Sequence, residues 1–136
     1  TENEARWEMA MEIKIGEGGR VDVEHAGHVI RTAQDGAHPA PFDLFLASIG
    51  ACSGIYIARF CESRGIPTDG IVIEQRKTVD PRTRLVERIE IEVRLPEGFP
   101  DRYRDPLLRA ASLCTVKKHL EHPPEIQVTA STLERA

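Results

Sequence analysis

The residues of this chain with the most distinctive chemistry are three cysteines, Cys52, Cys61 and Cys114. Their number is odd and their spacing is wide, which does not describe the disulfide framework of a secreted miniprotein. In a reducing compartment, such thiols are either inert members of a core or carriers of redox chemistry. The first question is therefore which of the three could react.

Cys52 and Cys61 fall on one predicted helix, and this limits how they could pair. At about 100° per residue they lie on opposite faces, roughly 13 Å apart along the axis. They cannot form a disulfide while that helix is intact, so a working pair within one chain has to include Cys114. Cys61, between Phe60 and Glu62, lacks activating surroundings and is interpreted as structural.

Two glycines, Gly50 and Gly54, flank Cys52 in an otherwise apolar helix. A glycine inside a helix costs about 1 kcal/mol relative to alanine. Their presence indicates that something approaches the helix backbone closely, either a substrate or a neighbouring element that packs tightly. Because free cysteine is usually buried and inert, Cys52 could be either a reactive thiol or a core residue.

Cys114 stands where a helical pattern restarts, directly before Thr115, Val116, Lys117 and Lys118. Backbone N–H groups at a helix start favour a thiolate, and nearby lysines act in the same direction. These surroundings predict that Cys114 is ionised more readily than an ordinary cysteine.

The N-terminal part alternates apolar and polar residues, as half-buried strands do. The alternation runs from Trp7 to Ile15, resumes around Val21–Val23 and continues at Val29–Ile30, with glycine turns between the three segments. The pattern predicts an antiparallel three-stranded meander, followed by a loop over residues 32–41.

A long helix is predicted from Asp43 to Arg64, closed by Gly65. Apolar residues wrap most of its circumference, so it must be covered nearly all round. A chain this small can hardly cover it alone, and a homodimer is the simplest source of a further surface. Its uncharged apolar run, Leu44 to Ala58, is shorter than the roughly 18 residues needed to cross a bilayer, so no membrane role is expected.

The C-terminal half combines a hairpin, two helices and a strand. Ile71–Val79 and Val86–Leu95 are the strands of the hairpin, and Asp105 is the predicted cap of the next helix. A short helix is predicted at Thr115–Glu121 and a final strand at Glu125–Thr132. The fold class is therefore α+β.

Composition agrees with one domain over residues 1–136. Hydrophobic residues make up 40% of the chain, enough for one real core. Asp and Glu exceed Lys and Arg by 22 to 18, which argues against nucleic acid as a partner. The first residues have neither the positive nor the apolar segment of a secretory signal, so a cytoplasmic location is expected.

Two segments resemble the motifs of a known family. Pro39–Gly54 (PAPFDLFLASIGACSG) is similar to the first cysteine motif of the OsmC/Ohr proteins, the osmotically inducible and organic-hydroperoxide-resistance proteins. Ala110–Leu120 (AASLCTVKKHL) is similar to their second motif. The predicted order of elements also matches the family over nearly the whole chain, and it resembles an OsmC-like branch more than a true Ohr protein.

The resemblance implies the OsmC-like fold in an intertwined homodimer, with the two long helices packed centrally. It also implies a thiol peroxidase in which Cys52 attacks an organic hydroperoxide and Cys114 then closes an intramolecular disulfide. A dithiol reductant would restore the thiols. No metal, flavin or haem cofactor is implied.

The resemblance further implies an activating arginine from the N-terminal strands, held by a carboxylate near the start of the long helix. Arg20, in the turn Gly18–Arg20, is the candidate, and Arg31 is the reserve. A solvated turn arginine is the alternative interpretation of Arg20. Phe42 stands where the family places the carboxylate; Asp43 could replace it, in a direction that differs by about 100°.

Apolar side chains near Cys52 are the candidates for substrate binding. They would suit a bulky hydroperoxide better than hydrogen peroxide, and they are Phe42, Ile49, Ile55 and Tyr56.

Two other functions compete with the peroxidase. One is a dimeric stress or ligand-binding protein with little or no turnover, which Phe42 favours. Thr115, in place of the usual proline of the second motif, is a further departure from the family. The other is a metal site, formed by Cys114 with His119 and His122 or by His25 with His28, but neither set has the paired cysteines of structural zinc.

Overall fold

The computed structural model describes residues 10–133. The chain divides into two compact units, and the boundary between Ser48 and Ile49 lies inside the long helix. The single-domain interpretation stays a prediction.

The first unit contains the predicted meander. Its antiparallel strands are β1 (Glu12–Ile15), β2 (Val21–His25) and β3 (His28–Thr32). The glycine turns between them are confirmed, and Gly27 has a positive φ of 81° that suits its residue type. In the described part of the chain the first strand begins at Glu12, whereas Trp7 and Met9 lie outside the described residues.

The long helix, α1, spans Pro41–Ser63 and so begins two residues before the predicted start. Proline fits a first helical turn because its missing N–H would have no partner there. At the other end, Gly65 has a φ of 64° and the N–H of Ile66 bonds to the carbonyl of Cys61 at 2.9 Å, as the sequence predicted for a glycine stop.

By length and composition alone, α1 could cross a membrane. It has 23 residues and a mean hydropathy of 1.6, although its longest uncharged run is shorter. A core helix of a soluble protein has the same properties, so this finding does not decide between them.

The second unit contains the predicted hairpin, formed by β4 (Val72–Val79) and β5 (Val86–Arg94). In its register Ile73 lies opposite Val93, and both pack against the core of the unit. The charged side chains of neighbouring register positions form exposed ion pairs with one another: Glu74, Arg76, Glu92 and Arg94. The hairpin therefore has one apolar and one charged face.

Two short helices follow, α2 (Arg104–Ala111) and α3 (Thr115–Glu121). The prediction of α3 is confirmed. The prediction that Asp105 caps α2 is wrong, because a 3₁₀ turn at Asp101–Tyr103 leads directly into the helix and Tyr103 takes the cap position without a side-chain bond. Asp105 lies within the first turn instead.

The core of the second unit forms where α1, α2 and the loop before α2 meet. Cys61 and Leu107 are completely buried there, beside Ile57, Phe60 and Phe99. Burial raises the pKa of the Cys61 thiol. These surroundings favour the structural interpretation of Cys61.

The final strand predicted at Glu125–Thr132 is not formed. Ile126 and Val128 are 84% and 92% exposed, although their alternation is that of a strand. A strand is stable only when its N–H and C=O groups bond to a neighbouring edge. The pattern was real, but no edge among residues 10–133 pairs with it. The α+β class is confirmed without it.

Candidate active site

Cys52 lies in the middle of α1 and is half-buried. Ile49 and Tyr56 lie on the same face of the helix as Cys52, because they precede and follow it by about one turn, and Ser53 is the next residue along the helix. All three contact the segment from Ala111, the last residue of α2, to Thr115, the first residue of α3. Cys52 is therefore at the centre of a face that this segment covers.

Three contacts fix the segment against α1. The Ser53 hydroxyl donates a buried hydrogen bond of 3.2 Å to the carbonyl of Ala111. The Cys114 thiol approaches the carbonyl of Ile49, with 3.8 Å between Sγ and O. The hydroxyl oxygens of Tyr56 and Thr115 lie 3.0 Å apart.

These contacts place Cys114 near Cys52, and the two thiols affect each other's pKa. Both cysteines are free thiols in the structure. The expectation that a working pair within the chain includes Cys114 stays a prediction.

The pKa of Cys52 is lowered from its ordinary value. The main cause is the backbone N–H of Val116, followed by the Cys114 thiol; the amide and the hydroxyl of Thr115 act in the same direction, against the effect of burial. Donors that face a sulphur atom stabilise its negative charge. Cys52 is consequently the better nucleophile of the pair.

The pKa of Cys114 is raised, which corrects the sequence prediction that this thiol ionises readily. Only 2% of its surface is exposed, and burial is the main cause of the shift. The amides of Lys117 and Val116 lower this pKa, but burial and the Cys52 side chain outweigh them. The Lys117 ammonium forms an ion pair with Glu121 at 4.0 Å. Cys114 is thus held as a neutral thiol beside an activated one.

Gly50 and Gly54 are explained by packing of the hairpin. A Cβ atom at Gly50 would lie 2.7 Å from Oε1 of Gln75, and one at Gly54 would lie 3.6 Å from Cδ1 of Ile73. The close approach inferred from these glycines is real, and a neighbouring strand makes it.

The two candidate arginines meet at a different carboxylate from the one expected. Both Nε and a terminal nitrogen of Arg20 bond to Asp22 at 3.2 Å, and Arg31 lies 4.0 Å from the same carboxylate. The Arg20 guanidinium holds the pKa of Asp22 below its ordinary value. Asp43, in the first turn of α1, forms no ion pair among the described residues.

The residues predicted to bind substrate separate into three groups. Ile49 is buried beside Cys114, and Tyr56 is engaged with Thr115. Phe42 and Ile55 are about half exposed within one chain. Sequence reasoning missed that Thr115 and Val116 act on Cys52, and that Ser53 bonds to Ala111. The position of Ser53 beside Cys52 was a usable signal.

A cavity of about 340 Å³ lies between α1, the hairpin and α2. Its walls are mainly aliphatic, with a thiol and an ammonium group among them; they include Ile49, Ser53, Ile91, Leu108, Cys114 and Lys117. An apolar side chain of a substrate could enter here next to Cys114.

Metal ligands do not converge in the part of the chain that the structure describes. No group of three His, Cys, Asp or Glu side chains there could hold an ion. Among residues 10–133, Cys114, His119 and His122 do not form such a group, and no third ligand of those types joins His25 and His28.

Two neighbouring thiols, one on a long helix and one at the start of a short helix, have pKa values shifted in opposite directions. They define a dithiol protein of α+β fold. Residues 34–129 match the family of OsmC-like proteins. Because the match covers most of the chain, this protein belongs to the OsmC-like family. The match also spans the boundary between the two units.

Solved structures of low identity share the fold. A protein from Psychrobacter arcticus 273-4, proposed to act in osmotic stress and detoxification, is 20% identical with a TM-score of 0.69, covering 79% of this chain and 85% of that one. An OsmC-like protein from Mycoplasma pneumoniae is 10% identical with a TM-score of 0.69, over 85% of this chain and 88% of that one.

A third structure, of the organic hydroperoxide resistance protein OsmC from Legionella pneumophila, is 16% identical. Its TM-score is 0.52, over 82% of this chain and 88% of that one. No curated protein matches this chain in sequence.

Proposed function

We propose that this protein is a thiol-dependent peroxidase that reduces organic hydroperoxides, with Cys52 as the peroxidatic and Cys114 as the resolving cysteine. The observation that carries the proposal is the asymmetry of the pair: the pKa of Cys52 is lowered and that of its neighbour Cys114 is raised. A two-cysteine peroxidase needs this combination, because the two thiols act in succession.

In the first step the Cys52 thiolate attacks the terminal oxygen of the hydroperoxide, ROOH. The S–O bond forms as the O–O bond breaks, which gives Cys52–SOH and the alkoxide RO⁻. The alkoxide takes up a proton and leaves as the alcohol ROH. Sulphur is oxidised and the peroxide is reduced by two electrons.

In the second step the Cys114 thiol condenses with Cys52–SOH. The Cys52–Cys114 disulfide forms and one water molecule leaves. An external dithiol then reduces the disulfide by exchange and is itself oxidised to a disulfide. The neutral state of Cys114 protects it from direct oxidation, since the thiolate is the form that reacts with peroxide.

The same proposal includes a cytoplasmic homodimer. Large apolar residues of α1 are exposed within one chain, including Ile55 at 53% and Phe42 at 50%, and a second copy would cover them. A reducing cytoplasm would supply the dithiol that closes the cycle. The Legionella protein is named for organic hydroperoxide resistance, which fits the substrate proposed for this chain.

The test is consumption of cumene hydroperoxide by the reduced protein in the presence of dithiothreitol. Cys52→Ser should abolish turnover. In Cys114→Ser, Cys52 should be oxidised once, after which turnover should stop or slow strongly. Cys61→Ser is the matched control, and its turnover should remain close to that of the wild type. No turnover by folded, reduced wild type would contradict the proposal.

A second candidate function is a dimeric binding protein that retains the thiols but turns over peroxides poorly. It is favoured by Phe42 in place of the expected carboxylate and by Arg20 being already paired with Asp22. A binding protein should keep its function in Cys52→Ser, whereas a peroxidase should lose it.

A further inference from the structure

The hydroxyl of Thr115 has two neighbours. Its oxygen lies 3.0 Å from the hydroxyl oxygen of Tyr56. It is also close enough to Cys52 to be the last of the causes that lower the pKa of that thiol. Tyr56 follows Cys52 by about one turn of α1, so all three groups lie at the same place on the helix. Thr115 is the first residue of α3 and is exposed.

The direction of this chain of hydrogen bonds follows from the charge on sulphur. A thiolate can only accept hydrogen bonds, so Thr115 must give its proton to Cys52 when Cys52 is ionised. The Thr115 oxygen is then left as an acceptor, and the phenol of Tyr56 donates to it. The hydroxyl of Tyr56 thereby orients that of Thr115 toward sulphur.

We propose that Thr115 and Tyr56 form a directed hydrogen-bond chain, Tyr56 O–H to Thr115 O–H to Cys52 S⁻, that positions and stabilises the Cys52 thiolate. Thr115 acts on the sulphur atom and Tyr56 acts through Thr115 as a positioning residue. The consequence for catalysis rests on the proposed peroxidase function, whereas the consequence for the thiolate does not.

Other groups around Cys52 stay in place when the side chain of Thr115 or Tyr56 is changed, including the Val116 amide, which is the main cause of its lowered pKa. The titratable group that faces Cys52 from the α2–α3 segment is the Cys114 thiol, which is held neutral. On the hairpin side, Gln75 and Ile73 approach the helix next to Cys52, and neither is titratable. Lys117 is paired with Glu121.

The test measures the pH dependence of Cys52 alkylation by iodoacetamide, with each cysteine quantified separately by peptide mass spectrometry. Thr115→Val removes the hydroxyl and keeps the shape. We expect the midpoint of Cys52 alkylation to rise by about half a pH unit to one pH unit. Tyr56→Phe should shift it in the same direction by less, and Thr115→Ser should restore the wild-type midpoint.

Ser112→Ala is the matched control, because it removes a nearby exposed hydroxyl that bonds to the carbonyl of Leu108. Its midpoint should equal that of the wild type. Thr115→Pro is a second variant that should fold, since proline suits a first helical position. It removes both the hydroxyl and the backbone N–H of residue 115, and it should raise the midpoint at least as far as Thr115→Val does.

An unchanged midpoint in Thr115→Val and Thr115→Pro would overturn the proposal. Equal shifts in Thr115→Ser and Thr115→Val would also overturn it, because the hydroxyl would then be irrelevant. The measurement needs no peroxide. A protein that shows the expected shifts but no turnover would therefore contradict the peroxidase and leave the hydrogen-bond chain standing.

Discussion

The hydroxyl of Ser53 donates a hydrogen bond of 3.2 Å to the carbonyl of Ala111, the last residue of α2. The bond is buried, and it joins the helix that carries Cys52 to the segment that carries Cys114. Because Ser53 directly follows Cys52, any movement of this segment changes the distance between the two thiols. The bond therefore links the stability of the fold to the geometry of the site.

Ser53→Ala should destabilise the protein by about 1–3 kcal/mol, because the buried carbonyl of Ala111 loses its partner. Urea unfolding followed by circular dichroism measures this change. Ser48→Ala is the control, since Ser48 bonds only to the carbonyl of Phe45 within its own helix at 2.6 Å, and its effect should be smaller. Equal effects would show that the Ser53–Ala111 bond contributes nothing beyond a local one.

Cys52 should react with iodoacetamide at lower pH than Cys114. The pKa of Cys52 is lowered and that of Cys114 is raised, so at neutral pH the thiolate fraction is larger at Cys52. Peptide-resolved alkylation rates between pH 5 and pH 10 measure the order. Preferential labelling of Cys114 in the folded protein would contradict both assignments.

The two shifts should also affect stability in opposite directions. A lowered pKa in the folded state stabilises the fold above the unfolded pKa of about 8.5, and this contribution is lost as pH falls through the folded pKa of Cys52. A raised pKa stabilises below the unfolded value and is lost as pH rises through the folded pKa of Cys114. The measurement is urea unfolding of Cys52→Ser and Cys114→Ser against wild type, under reducing conditions at pH 6 and pH 9. Cys52→Ser should lose more free energy of unfolding at pH 9 than at pH 6. Cys114→Ser should lose more at pH 6 than at pH 9. The reverse order would refute the signs.

Gly54→Ala should stabilise the protein relative to Gly50→Ala. At Gly54 a methyl group would make an ordinary contact with Ile73 at 3.6 Å, so the helix gains up to about 1 kcal/mol. At Gly50 the methyl group would lie 2.7 Å from the amide oxygen of Gln75, which must move. Thermal unfolding of the two variants measures the difference, and equal melting temperatures would show that Gln75 yields freely.

Cys61→Ala should lower stability and leave the chemistry intact. Cys61 is completely buried, so removing its sulphur atom leaves a small cavity at a cost of about 1–2 kcal/mol. Urea unfolding measures the loss, and peroxide consumption measures the activity. A loss of turnover much greater than the loss of folded protein would show that Cys61 takes part in the reaction.

Much of the fold is predictable from local patterns. The period-2 alternation around Val21–Val23, the turn at Gly65 and the apolar length of α1 each depend on interactions within a few residues. The strand predicted at Glu125–Thr132 failed for the opposite reason. Its alternation is local, but a strand also needs a partner edge, which no short pattern can supply.

The sequence by itself determined which residues could do chemistry, that Cys52 and Cys61 cannot pair on one helix, and that a pair within the chain has to include Cys114. Only the tertiary structure decided which thiol is activated. The sequence indicated that the donors at the start of α3 act on Cys114. In the structure the amide of Val116 is also the main cause of the lowered pKa of Cys52, and burial outweighs the amides at Cys114. Burial and hydrogen bonding depend on residues that are distant in sequence, and for this reason the pKa of each thiol is a property of the folded chain.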